Sequence, residues 1–236
     1  MKKIKHLLVS ISFVILFLSL NLFCQGNSEE SKMQYAETDV IKLPSPNLKG
    51  VTSVEEALHK RRSIRDYTNE PVTIADISQL LWAAQGITEE SYGLRTAPSA
   101  GALYPLEVYV ATSNVEDLTP GLYKYKTQNH TIKKIDDGDK RKDIANAALG
   151  QDAIENSSAI IIITAVPERT EVKYGRRAER YVQMEVGHAG QNIYLQAVSL
   201  GLGTVMIGAF KDDALKKVLD LPKNENPLAI YPLGKI

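Results

Sequence analysis

The chain has 236 residues, and its 28 lysines and arginines are balanced by 28 aspartates and glutamates. Zero formal charge excludes a protein that holds nucleic acid or an anionic membrane through its global field, so any anion site must be local. One cysteine excludes an intramolecular disulfide framework and a multi-cysteine metal site, and four scattered histidines without ligand spacing give metal binding no support.

MKKIKH is basic and the run LLVSISFVILFLSLNLF (residues 7–23) carries no charge, which is the pattern of a secretory signal. The run also approaches the length of a membrane span, so an uncleaved anchor stays open. Cys24 follows directly and resembles the lipid-modified cysteine of bacterial lipoproteins, although that pattern wants a small residue where Phe23 stands. The bland reading of Cys24 is a small hydrophobe ending an anchor helix. Residues 1–24 are therefore expected to be a signal peptide or lipoprotein signal, with the mature protein exported, periplasmic or membrane-anchored. Residues 25–50 contain Pro44 and Pro46 and no sustained period, so they read as a tether or an arm on the domain surface.

From Val51 the texture changes. Ser53 and Glu56 have capping-box spacing, which predicts a helix through VEEALHKRR, and Thr73 with Asp76 repeats the device before Ile77, Leu80, Leu81 and Ala84 recur at helical spacing up to Gly86. LEVYVAT (106–112) reads as a buried strand, and GLYKYK and TIKKI as a hairpin turning around Asn129. DKRKDIANAALG predicts a short helix ending at Gly150. AIIIITAV (159–166) is unbroken and β-branched, so it should be a central strand buried on both faces. A long helix from about Glu171 to Leu200, a strand TVMIGAF, a helix DDALKKVLDL and a last strand PLAIYPLG complete the chain. Helices and strands intermix without strict βαβ alternation, which predicts an α+β domain over 51–236 with a mixed central sheet flanked by helices.

Three segments carry chemistry. RRSIR sets Arg61, Arg62 and Arg65 around Ser63; forked guanidinium donors match phosphate oxygens, yet basic residues closing a helix also simply serve its dipole. RTAPSAGALYP (95–105) approaches a strand almost bare of side chains, which either lets backbone lie close to something flat or is an ordinary turn. SLGLGTVMIGAF brackets an apolar run with Gly201, Gly203 and Gly208, but it lacks the third glycine and following helix of a dinucleotide fingerprint.

RRSIRDYT, TAPSAGALYPLEVYV, EVGHAGQNIYLQAVSLGLGT with MIGAF, and YPLGK occur in the order and spacing of the FMN-dependent nitroreductase superfamily. PSAGALYP resembles its SagB-type branch, which includes thiazoline and oxazoline dehydrogenases. The resemblance covers residue 51 to the C-terminus. It implies a nitroreductase-like fold, a homodimer, and an FMN at each subunit interface with residues of both chains around it. By the same similarity Arg61, Arg62, Ser63 and Arg65 would hold the ribityl phosphate, with Lys235 adding charge where relatives often have Arg. Pro98, Ser99, Ala100, Gly101 and Leu103 would lie against the isoalloxazine, and Ile207 and Gly208 near flavin N5. Ala102 stands where many nitroreductases carry a flavin-binding Asn, which fits the SagB-type branch better.

Azoline dehydrogenases use a Lys-Tyr pair, and this chain has two, Lys124-Tyr125 on the expected hairpin and Lys173-Tyr174 ahead of the long helix. Lys173-Tyr174 is the better match, as proton-moving catalytic residues, against a solvated helix start. His188, between Gly187 and Gly190, reads as a packing or interface residue, and Tyr92, Arg95 and Tyr104 as shapers of substrate access. The implied activity is two-electron transfer through flavin N5 to or from a small organic molecule (a nitro compound, a quinone or an azoline), with NAD(P)H as a possible donor. The competing class is an exported flavin-binding protein that keeps the fold without turnover. No nucleic acid is expected as a partner, and no membrane except through the N-terminal anchor or lipid.

Overall fold

A computed structural model describes residues 39–236. The expected signal sequence, Cys24 and residues 25–38 of the expected tether lie outside these residues. The last strand-like stretch of the arm, β1 (Val40–Lys42), leads to α1 (Val54–Lys60), where the Ser53 hydroxyl accepts from Glu56 N at 3.1 Å. A short β2 (Val72–Thr73) runs straight into α2 (Ile74–Gln85), whose capping box is reciprocal: Thr73 Oγ1 accepts from Asp76 N, and Asp76 Oδ2 from Thr73 N. β3 (Ile87–Glu89) and β4 (Leu94–Arg95) form a small ribbon before β5 (Leu106–Thr112). After β6 (Val115–Glu116), the expected hairpin is β7 (Gly121–Lys126) and β8 (Thr131–Asp137), with His130 rather than Asn129 taking the left-handed turn position at φ 47°. α3 (Arg141–Ala147) and α4 (Asp152–Glu155) precede β9 (Ala159–Ala165). Then come α5 (Glu168–Tyr174), α6 (Ala178–Ser199), β10 (Leu202–Thr204), α7 (Asp212–Val218) and β11 (Asn226–Lys235).

The main sheet runs β1-β8-β7-β5-β9-β11-β10, so AIIIITA lies between β5 and β11 with every residue buried. Alternation along a strand explains what lies above and below. Ile161 and Ile163 join Leu80, Leu81, Val110, Val186, Ile193 and Tyr231 on the face covered by α2 and α6. Ile160 and Ile162 join Ile144, Ile154, Leu215 and Ile230 on the face covered by α3, α4 and α7. Each such side chain contributes roughly 1.5–3 kcal/mol by leaving water. The architecture is α+β; the registered pairs of the main sheet are antiparallel, and parallel pairing occurs in the separate β2·β6 ribbon.

Three elements differ from the sequence expectation, each for a local reason. α1 stops at Lys60, because Arg61 turns to ψ 125° and the chain then runs extended beside the sheet edge, Ile64 N donating to Thr204 O and Thr68 N to Lys235 O. RRSIR therefore begins at the cap of α1 and continues as extended chain. The long helix is broken at Gly175, whose φ of 52° and ψ of −134° no side-chain-bearing residue adopts easily. TVMIGAF is a strand only to Thr204; beyond it Ile207 makes a single two-way bridge with Ile230.

Candidate functional site

α6 organises everything that the motifs single out. Val186, Ala189, Gly190, Ile193 and Ala197 are buried toward the core. A methyl placed on Gly190 would come within 2.0 Å of Tyr231 Oη, so this glycine is needed for packing inside the chain. Nine residues separate Glu185 from Tyr194, about two and a half turns and roughly 13 Å, so their side chains leave opposite flanks of the helix. Each flank carries a different set of predicted site residues.

On the Tyr194 flank the phenolic oxygen accepts from Met206 N at 2.7 Å and lies 3.2 Å from Ser63 Oγ, while the Arg61 guanidinium stacks over the ring at 5.0 Å. RRSIR and MIGAF are thereby brought together. Arg62 is turned away: it donates to His59 O at 2.9 Å and Arg61 O at 2.7 Å, satisfying carbonyls that the end of α1 leaves free. Arg65 is exposed and takes part in no ion pair or hydrogen bond among the described residues. Lys235 pairs with Asp76 at 3.2 Å, so part of its charge is already answered. Ile207 is buried and Gly208 exposed, with nothing nearer to a Gly208 methyl than Met206 Cε at 4.0 Å.

On the Glu185 flank lies the small-residue segment. Pro98, Gly101 and Ala102 are exposed, and Ser99, Ala100 and Leu103 half-buried. Its backbone is contorted, with φ of 63° at Gly101, 53° at Ala102 and 46° at Tyr104. For the two non-glycine residues this costs about 1–2 kcal/mol each, and four contacts hold the shape. Ala100 N donates to Glu185 Oε1 at 2.9 Å, Tyr104 N donates to Ser99 Oγ at 2.9 Å, Arg169 donates to Tyr104 O at 3.2 Å, and Arg95 stacks on the Tyr104 ring at 4.3 Å. Burial raises the Glu185 carboxyl above its ordinary range, opposed by Ala100 N–H, Ser99, His188 and Arg95. Burial also depresses the Arg95 guanidinium, against the pull of Tyr104 and Glu107.

Above this shelf stand Lys173 and Tyr174. A methyl on Gly101 would lie 2.9 Å from Tyr174 Oη and 3.1 Å from Lys173 Nζ. Tyr174 is braced edge-on by Tyr181, ring centroids 4.9 Å apart. The other Lys-Tyr pair is structural: Lys124 lies 3.2 Å from both Glu107 and Glu225, and Tyr125 is buried with its hydroxyl 2.8 Å from His130 Nδ1. His188 and Tyr92 are exposed. Among the described residues no hydrogen bond, ion pair or ring contact joins the shelf to RRSIR or to Met206–Gly208. A cavity of about 570 Å³ beneath residues 45–54, walled by Gln79, Trp82 and Gln196, is lined by none of the predicted site residues.

Glu185, Asn192 and Tyr194 escaped the sequence reading, although all three lie in EVGHAGQNIYLQA. Asn192 donates to Ala83 O at 3.0 Å and Thr96 O at 3.3 Å, tying α2 to the approach to the shelf. Their signal was present: polar side chains interleaved with the apolar positions of one helix need partners. The residues suit one type of ligand, flat at one end and dianionic at the other. Arg61 and Arg65 offer forked donors beside the Ser63 hydroxyl, and the shelf offers bare, pre-shaped backbone.

The nitroreductase family model matches residues 58–235. A candidate nitroreductase of Methanocaldococcus jannaschii is 44% identical over 197 residues, covering 84% of this chain and 98% of its own. The Bacillus subtilis protein named FMN reductase [NAD(P)H] is 26% identical over 198 residues, covering 78% of this chain and 66% of its own. Among solved structures, a candidate nitroreductase of Ralstonia eutropha superposes with a TM-score of 0.74 at 28% identity, covering 85% of this chain and 90% of that one.

Proposed function

We propose, from the premise that this chain belongs to the nitroreductase family, that it is an FMN-dependent oxidoreductase working as a homodimer with NAD(P)H as donor. The observation that carries the reading is the division of the site into two chemically distinct halves on opposite flanks of α6. Arg61, Ser63 and Arg65 form a grip for a phosphate, and Pro98–Leu103 a bare shelf beneath Lys173 and Tyr174. The two halves leave α6 on opposite flanks, an arrangement suited to two copies with the shelf of one facing the grip of the other. Exposed Val51, Val54, Leu58 and Met206 give such a dimer apolar surface to bury. The name of the Bacillus subtilis relative supports both cofactor and donor. When bound, the flavin supplies two-electron chemistry; the protein positions it and moves protons.

Within that activity, placement of Lys173 and Tyr174 favours an azoline-type substrate, as in the SagB-type branch, over nitro compounds and quinones. Both groups can exchange a proton with a molecule lying on the shelf beside Gly101, and a ring oxidation needs a proton removed as a hydride leaves. The basic and apolar start of the chain supports export, with Cys24 as lipidation site, and keeps a second reading in view: a flavin-binding surface protein without turnover.

The spectrum of the purified protein is the first test. Noncovalent FMN is expected, bleached anaerobically by NADH or NADPH. A colourless protein that takes up no added FMN overturns the proposal, and bound FMN that neither nucleotide reduces favours the second reading. Cell fractionation, with mass analysis of the mature N-terminus, tests export and the state of Cys24.

A further inference from the structure

We propose that Glu185 is a positioning residue of the shelf: through Ala100 N–H its buried carboxylate sets where Gly101 sits beneath Lys173 and Tyr174. This rests on the flavin reading above, which assigns the shelf its ligand.

Glu185 is 4% exposed, the only acidic residue among the buried positions of α6. An acid turned inward from a helix carries a desolvation cost that an alanine would avoid and a glutamine would lessen, so its presence needs a local reason. No lysine or arginine forms an ion pair with it among the described residues; its hydrogen bond goes to the backbone of the shelf, at the residue just before Gly101. Ser99, the residue before Ala100, accepts from Tyr104 N at 2.9 Å, so the turn is closed on itself by Ser99 and tied to α6 by Glu185. Between these ties lie Gly101 and Ala102, both left-handed. A turn with an unfavourable backbone relaxes when its ties are cut, and the first casualty is the spacing to the Tyr174 hydroxyl and Lys173 ammonium, set against Gly101 with no slack.

The acceptor is what matters, which separates this role from a merely structural one. Glu185→Gln keeps an oxygen at the same reach, and Glu185→Ala removes it. Hydrogen exchange of the flavin-free protein over residues 98–104 is expected to quicken about tenfold in E185A and to stay near wild type in E185Q. FMN affinity is expected to fall about tenfold in E185A, because binding must then order the turn, and to change less than about threefold in E185Q. If E185A does not fold, E185D, which withdraws the carboxylate by one methylene, is compared with E185Q in the same way. Unchanged exchange and affinity in E185A or E185D overturns the proposal, and so does an E185Q protein as impaired as E185A. A wild-type protein that binds no FMN, with exchange still dependent on residue 185, would retain the positioning role and remove the flavin reading.

Discussion

The two flanks of α6 hold their site residues by opposite means. The shelf is contorted and buttressed: three left-handed residues in four positions, held by a carboxylate, a serine, and two arginines, with a tyrosine and a lysine pressed against its glycine. The phosphate grip is extended and loosely held, Arg61 resting on a ring, Ser63 touching one hydroxyl and Arg65 reaching into solvent. Shape recognition of a flat ring needs a surface fixed in advance, since any relaxation is repaid from binding. Charge recognition tolerates mobile side chains, because a guanidinium finds a dianion from several rotamers. The contrast predicts that the shelf fails through geometry and the grip through charge.

The largest effect should come from Gly101→Val. It adds left-handed strain of about 1–2 kcal/mol and an overlap with Tyr174 and Lys173 worth about 1–3 kcal/mol, so affinity should fall on the order of 100-fold or more. FMN and riboflavin should suffer alike, as judged by fluorescence titration. Tyr174→Phe should leave FMN affinity within about threefold yet lower turnover about 100-fold, the usual worth of a proton donor, in single-turnover kinetics. Equal loss of binding and turnover would make Tyr174 part of the seat rather than of the chemistry.

On the other flank, Arg65→Ala or Arg61→Ala should cost about 2–3 kcal/mol, or roughly 30- to 150-fold, for FMN while leaving riboflavin nearly indifferent. Arg62→Ala sharpens the comparison within the motif. Its guanidinium closes α1, so it should lower thermal stability slightly and change FMN affinity less than about threefold.

The smallest effect concerns pH. Burial raises the Glu185 carboxyl above 4.5, so the folded chain takes up this proton more readily than the unfolded chain. The stability this group contributes is fully present below 4.5 and is lost as pH rises through the folded value. Glutamine carries no such loss. E185Q should therefore match wild type near pH 4 and melt slightly higher near pH 8, by no more than the 2–4 °C that about 1 kcal/mol gives a chain of this size.

Much of this molecule is legible along the chain, because the signals are local. Caps at Ser53 and Thr73, the largely apolar run LEVYVAT and the unbroken β-branched run in AIIIITA each act within one or two turns of backbone, and they determine which elements form and that β9 lies inside the sheet. RRSIR and PSAGALYP were likewise visible as local departures from those patterns. The sequence could rank its two Lys-Tyr pairs only by resemblance and by the element each falls on. Burial of Lys124 between Glu107 and Glu225 removed one, and the break at Gly175 aimed the other at Gly101. Nor could it show that the site divides across α6, or that Glu185 and Tyr194 hold the two halves, since their partners stand 85 and 131 residues away. Local propensity is written residue by residue, but which side chain meets which backbone is decided when the helix lands on the sheet, and only that docking gives a buried carboxylate its partner.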